Sequence, residues 1–379
     1  MNAQTTEVEQ RIKMKIRFVY VIFMLMVGIA CSSLTNSEET SLDVVVDDLV
    51  VPNGDSQIDK LATSTQTLPI SSSEIQNLKL YALELINKDR EKHGVAPVVM
   101  GSDMTAQLHA EESLQHTYNG HWFISGEKPY MVYSRNGGNS YVSENSASGG
   151  WTKDEQRACR MSETFFGGCR KISPRHLILM QHDGMVYDDA HVDWGHRDNI
   201  LDPKHLKVNI GLAFIEGTLS IPWWTGFYQH FEGGHFIATT PPVIEGTELS
   251  FTIENVTGEY GFAEDIAVFY DPLPKEMTVD EIEVCDRYTT GGGTKCEPEE
   301  EDVIAAWILP PPPLGASYID LTSSDIVAKI WRRSENSLHV IADMGQNANR
   351  PGVYTVVVWG IHKLTNEEAS LIELSAIKQ

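Results

Sequence analysis

Three residues far apart in the chain, His121, Glu144 and His196, offer its most concrete chemistry. Two neutral imidazoles with a nearby carboxylate can hold zinc or a similar divalent ion and leave an open position for water. His196 stands in the run Trp194-Gly195-His196-Arg197-Asp198-Asn199-Ile200-Leu201, ahead of the apolar stretch Val208 to Phe214. That order places a ring nitrogen at the edge of a strand-rich core. Eleven of the 13 histidines lie between His93 and His235, a bias that suggests metal or proton chemistry in one part of the chain. The pairs His116/His121, His191/His196 and His230/His235 are five apart, a spacing that does not converge on one ion. A site must therefore be assembled from distant segments, and His230 is expected to lie outside it. The structural alternatives are that His121 closes a helix–loop corner against Trp122, that Glu144 is a loop carboxylate and that Asn145 is a turn residue. In a hydrolase the ion-bound water would attack an ester or peptide with Glu144 as general base. Ser143 or Ser146 as nucleophile would lack the strand-to-helix elbow that exposes such a serine.

The elements that must position these residues are helical first and extended later. Ser71-Ser72-Ser73-Glu74 opens a helix in which Ile75, Leu78, Ala82, Leu85 and Ile86 recur at helical spacing, and Gly94 stops it. A second helix is expected from about Ser102 to Gln115, with Met104, Leu108 and Leu114 toward the core, and Pro174 opens a third through Met185. Strands follow at Val208 to Ile215 and Gly226 to Phe231. Helices first, strands late and no regular alternation predict an α+β sandwich rather than a parallel sheet. After Thr239-Thr240-Pro241-Pro242 the period becomes two: Leu249, Phe251 and Ile253, then Ile266 to Tyr270, Ile326 to Trp331, Leu338 to Ile341 and Val353 to Val358. A hairpin is expected across Ser334-Glu335-Asn336, within an all-β, immunoglobulin-like sandwich. Pro310 to Pro313 reads as a stiff connector between sheets. Residues 71–238 and 239–379 thus form two domains, preceded by an acidic Ser/Thr-rich tether over 32–70.

A net charge of −24 argues against nucleic acid as a partner. Arg11, Lys13, Lys15 and Arg17 precede an apolar run from Phe18 to Cys31, too short for a comfortable membrane span and suited to a signal peptide over 1–31. Gly28-Ile29-Ala30-Cys31 resembles a prokaryotic lipobox, with lipid on the Cys31 sulfur, although Gly28 stands where a larger aliphatic is usual. An uncleaved anchor and a plain secretory signal are the alternatives. The other four cysteines form close pairs, Cys159/Cys169 and Cys285/Cys296. Each would close a short disulfide loop worth roughly 3 kcal/mol, persistent only in an oxidising compartment. All of this places the folded part outside the cell membrane.

Between residues 78 and 231 an ordered set of motifs resembles the CAP superfamily, the cysteine-rich secretory, antigen 5 and pathogenesis-related proteins, also called SCP-like. The set comprises Leu85-Ile86-Asn87-Lys88-Asp89-Arg90, His109-Ala110, His121, Tyr141-Val142-Ser143-Glu144-Asn145, Gly195-His196-Arg197-Asp198-Asn199-Ile200-Leu201, Ile210-Gly211-Leu212-Ala213 and Tyr228-Gln229-His230-Phe231. The His-Arg-Asp-Asn-Ile-Leu version is similar to prokaryotic members. The resemblance implies a three-layer α-β-α sandwich with a cleft lined by two histidines and two acids. His121, Glu144 and His196 fill three of those roles. For the fourth, His176, Gln181, His182, Asp183, Asp188 and Asp189 stand in the right part of the chain, and the sequence does not choose among them. The implied ligands are a divalent metal and a lipid, glycan or cell-surface protein. The family mostly lacks a settled catalytic activity, and adhesion through the β-domain is the third reading. Trp223-Trp224 would serve ligand contact or the core. Cys31→Ser should release the protein from membranes or leave its signal uncleaved. Fractionation and processing identical to wild type would refute lipid attachment.

Overall fold

The computed structural model describes residues 70–150, 173–190, 193–216, 223–289 and 303–379. The expected signal and tether segments, with Cys31, Cys159, Cys169 and Cys296, lie outside the described residues. Among the described residues no helix is long and apolar enough to cross a membrane.

The protein is α+β. Helix α1 (Ser72–Lys92) starts where the Ser71 hydroxyl accepts the Glu74 N–H at 3.2 Å. It buries Leu78, Ala82 and Ile86, with Ile75 and Leu85 packed beside them. Next in the chain come β1 (Val99–Met100), α2 (Thr105–His116), α3 (Pro129–Arg135), β2 (Val142–Gly150), α4 (Pro174–Tyr187) and α5 (Gly195–Leu201). Strands β3 (Lys207–Glu216) and β4 (Trp223–Glu232) complete the first sheet, in the order β1-β3-β4-β2. Period-two alternation gives this sheet two apolar faces. Val208, Ile210, Leu212, Phe214, Phe227 and Phe231 pack with α1, α4 and Ile200 of α5, whereas Ala213 and Tyr228 pack with Ala106, Ala110 and Leu114 of α2. Helices therefore cover both faces.

Helix α2 departs from its expected core. Met104 and Leu108 are exposed, at 55% and 44%, and the buried positions are Thr105, Ala106, His109, Ala110, Ser113 and Leu114. The physical reason is close approach. A Cβ on Gly211 would stand 1.8 Å from the Ala106 carbonyl oxygen, and one on Gly226 would stand 2.8 Å from that of Ala110. The helix lies so near the sheet that small residues fill the contact at Ala106 and Ala110 while Met104 and Leu108 face outward; Leu114, further along, is buried as expected.

The remaining strands build two facing sheets. Strands β5 (Phe236–Glu245), β6 (Glu248–Asn255), β10 (Ile330–Arg333) and β11 (Ser337–Asp343) run in the order β10-β11-β6-β5. Strands β7 (Tyr260–Asp271), β8 (Val303–Leu309), β9 (Asp325–Val327), β12 (Gly352–His362) and β13 (Glu368–Lys378) run in the order β13-β12-β7-β8-β9. Leu249, Phe251, Ile253, Leu338 and Val340 from one sheet share a core with Ile266, Val268, Tyr354, Val356 and Leu374 from the other. The hairpin across Ser334-Glu335-Asn336 forms, with Ile330 opposite Ile341. The expected strand from Ile326 to Trp331 is instead split. Its first part, β9, pairs parallel with β8, and its second part, β10, joins the opposite sheet. The Pro310–Pro313 run lies between β8 and β9 of one sheet, so it does not link sheets. A helix, α6 (Val279–Thr289), follows β7, so the later part of the chain is not all-β.

The two parts share core and charge. Tyr133 and Val142 belong to the sandwich core. Lys128 Nζ lies 3.2 Å from Asp271 Oδ1, both side chains being buried, and the Tyr130 hydroxyl donates to Asp271 Oδ2 at 3.2 Å. Gly211→Ala should lift α2 from the sheet and cost about 2 kcal/mol or more, within the range for overpacking a tight contact. A denaturant midpoint equal to wild type would show that the helix can yield freely.

Candidate functional site

Glu144 lies on β2 directly opposite His230 on β4, so both side chains point toward α2. His109, one buried position of α2, reaches the same point, stacked on Phe123 at 3.9 Å and against Tyr228 at 4.1 Å between ring centroids. His121 arrives from the loop after α2, which leaves the helix through Thr117 in the left-handed region, φ 61°. Glu112 holds that loop by accepting the Tyr118 hydroxyl and the Ile124 N–H at 2.9 and 2.7 Å. The carboxylate of Glu144 thus accepts from three rings: His109 Nδ1 at 2.6 Å and His230 Nε2 at 2.5 Å on Oε2, and His121 Nδ1 at 2.8 Å on Oε1. Its side chain is 2% exposed. Burial pushes its pKa up, but electrostatic attraction to His109 and His230 and the hydrogen bonds from His109 and His121 outweigh this, holding the carboxyl well below its usual range.

His196 is built from the opposite side of the cleft. Asp189 Oδ1 meets His196 Nδ1 at 2.6 Å, while Oδ2 accepts the backbone N–H groups of His196 and Arg197 at 2.9 and 3.2 Å. One carboxylate both orients the ring and satisfies the first turn of α5. The chain enters that turn through Asp193 and Trp194 at φ 55° and 64°, a conformation that costs non-glycine residues about 1–2 kcal/mol each. Two anchors hold α5 in place. Asn145 donates to the His196 carbonyl at 3.0 Å and accepts from Asn199 at 3.0 Å. Arg90, fully buried, donates to the carbonyls of Ala96, Ile200, Asp202 and His205. The rings of His121 and His196 then face each other with centroids 6.5 Å apart. Their side chains are 31% and 20% exposed, so the pair is open to solvent.

Of the candidates for the fourth position, Asp189 is the one beside His196. His182 is buried on α4 and pairs with Asp89 at 2.8 Å, while His176 and Asp188 are exposed. His196 bonds to Asp189 and not to Glu144. His109 and His230 were missed as partners of Glu144; His230, expected to lie outside the site, stands against its carboxylate. The signal was the strand period: once Glu144 faces α2, its cross-strand partner must face it too. Ser143, one residue along, points the other way and meets His205 Nε2 at 3.2 Å. Burial pushes His205 down to about 4, so the ring is neutral, donating from Nδ1 to the Asn199 carbonyl and accepting from Ser143.

His109, Glu144 and His230 could hold a metal ion, since one ligand atom from each lies within 4.8 Å of the others. Two observations weigh against that use. Glu144 Oε2 is 2.5–2.6 Å from the two ring nitrogens, whereas ligands of a tetrahedral ion with ~2.1 Å bonds stand ~3.4 Å apart. The far nitrogens, His109 Nε2 and His230 Nδ1, are buried without a hydrogen-bond partner. A metal-bound ring carries its proton on the far nitrogen and almost always donates it. Here that proton would be an unsatisfied buried donor, a rarer and costlier state than an unused acceptor. These two rings fit donors to a carboxylate.

A second pair of imidazoles lies on the exposed side of Glu144. His121 and His196 each give Nδ1–H to a carboxylate, which leaves the lone pair on Nε2, as in carboxylate–histidine–metal arrangements. Two imidazoles on one tetrahedral ion with ~2.1 Å bonds have centroids ~5.3 Å apart, about an ångström closer than this pair. The side chains of Trp223 and Trp224, and Cys296, the expected disulfide partner of the buried Cys285, lie outside what is described. No protein-family model matches the chain, and no curated protein matches it.

Because its folded pKa is depressed, Glu144 contributes stability above its unfolded pKa of ~4.3, lost as pH falls through the folded value. Glu144→Gln should lower stability at neutral pH and flatten the acid limb of an unfolding profile below about pH 4. An unchanged acid limb would mean that the carboxyl does not titrate with folding.

Proposed function

We propose that this chain is an exported, membrane-anchored protein of CAP type whose cleft binds a divalent metal, zinc by preference, through His121 and His196. In this reading the first sheet and its helices are the three-layer CAP sandwich, and the two later sheets are an immunoglobulin-like domain. The observation that carries the metal assignment is the paired geometry: two facing rings, each oriented through Nδ1 by its own carboxylate, Glu144 or Asp189. Zinc suits imidazole ligands and tolerates an open position, where it would polarise a bound group. The protein's own contribution is to fix both tautomers and to keep the two rings from turning. The ordered motifs between residues 78 and 231 support the family reading, and a lipid or glycan is the ligand class it suggests for the rest of the cleft.

Binding is favoured over hydrolysis by the state of Glu144. A hydrolase would need that carboxylate as general base toward a cleft water. Here it is buried and engaged by three ring N–H groups. Among the described residues of the β-sandwich there is no comparable site to favour adhesion.

Zinc titration of the full chain tests the proposal. His121→Ala and His196→Ala should each weaken binding by orders of magnitude, and Asp189→Asn should weaken it about 10–100-fold by releasing the ring it orients. Affinity should fall as pH drops below ~6.5, because a ligand histidine must be neutral. Affinity unchanged in both histidine variants would remove the cleft from consideration. Turnover on ester or peptide panels that a chelator abolishes would replace binding with catalysis.

A further inference from the structure

The loop that carries His121 is held from two sides, and only one belongs to its own domain. On the inner side Glu112 accepts two of its donors and the Tyr228 hydroxyl donates to the Gly120 carbonyl at 3.1 Å. On the outer side lies the segment 272–289, which leaves the β-sandwich at the end of β7 and runs into α6. Ile282 and Cys285 of α6 form a buried cluster with Tyr118 and Trp122, the residues flanking His121, with Ile124, Met277 and Val279 packed around them. Ile282 is fully buried there. The Met277 N–H donates to the Ile124 carbonyl at 2.8 Å. Gly126, at φ +77°, lies so close to the Lys275 backbone that a Cβ would stand 2.0 Å from its carbonyl oxygen. At the foot of the segment Asp271 meets Lys128 and Tyr130, where the loop enters α3.

These contacts have a direction. The sandwich core is complete without α6, whose buried residues are absent from it. What α6 buries instead is the outer surface of the loop, so its packing energy acts on the position of His121. We propose that segment 272–289 is a strap from the second domain that fixes the cleft histidine, with Ile282 as its positioning residue. The cleft is then a property of both domains: a ligand or partner that shifts the strap alters the His121–His196 separation without touching either ring. The inference rests on packing and holds whether or not the cleft takes a metal.

The test uses the full chain with Ile282→Ala, and Ile282→Val as a milder step that removes one methylene. Carbethoxylation of individual histidines by diethyl pyrocarbonate is followed by peptide mass spectrometry, together with amide hydrogen exchange. The strap predicts a several-fold faster reaction at His121, smaller in the Val variant, with faster exchange over 118–124 and unchanged rates at His196 and His339. Faster exchange confined to 277–289 with His121 unchanged would make α6 a local ornament and overturn the proposal. A parallel rise at His196 would mean that the whole domain has loosened, and would overturn it too.

Discussion

A carboxylate taken out of water must find donors or lose its charge. Glu144, 2% exposed, finds them on three separate elements: helix α2, the loop beyond it and strand β4. Each demand constrains something else. His109 reaches the carboxylate only if α2 lies almost on the sheet, which is why Gly211 and Gly226 stand beneath it. His230 must be the cross-strand partner of Glu144, which ties the register of β2 on β4 to the site. His121 must descend from a loop, and that loop is braced by Glu112 within and by α6 without. Removing the charge would relax all of these together.

The other half of the cleft is organised by backbone rather than by a buried charge. Asp189 and Arg90 divide the unsatisfied groups of the short helix α5, the first taking amides at its start and the second carbonyls at and beyond its end. Asn145 then links this helix to β2, one residue from Glu144. The two histidines are therefore fixed to one rigid frame by independent supports, and this pre-organisation suits a site that must bind without rearranging.

Much of this was legible in the residues. Periodicity marked α1, α4 and the paired sheets, because one-sided burial writes a period of 3.6 or 2 into the chain. It misread α2, whose polar His109 and small Ala106 and Ala110 occupy the buried face while Leu108 is exposed. Hydropathy cannot register a helix that is buried for closeness rather than for apolar area. Helix α6 was missed for a related reason: its Ile282 and Cys285 serve a contact with the other domain, which no local pattern announces. His121, Glu144 and His196 were picked out, but their roles shifted. Glu144 orients a ring where a ligand was expected, and Asp189 became visible beside His196 only once α5 was folded against it.

The proposed metal ligands are the cleft rings and not the rings buried beneath them. Zinc soaked into crystals of the full chain and located by anomalous scattering decides this directly. A peak is expected between His121 Nε2 and His196 Nε2, with Glu144 still bonded to His109 and His230. A peak between His109 Nδ1 and His230 Nε2, with the Glu144 carboxylate drawn back onto the ion, would contradict it.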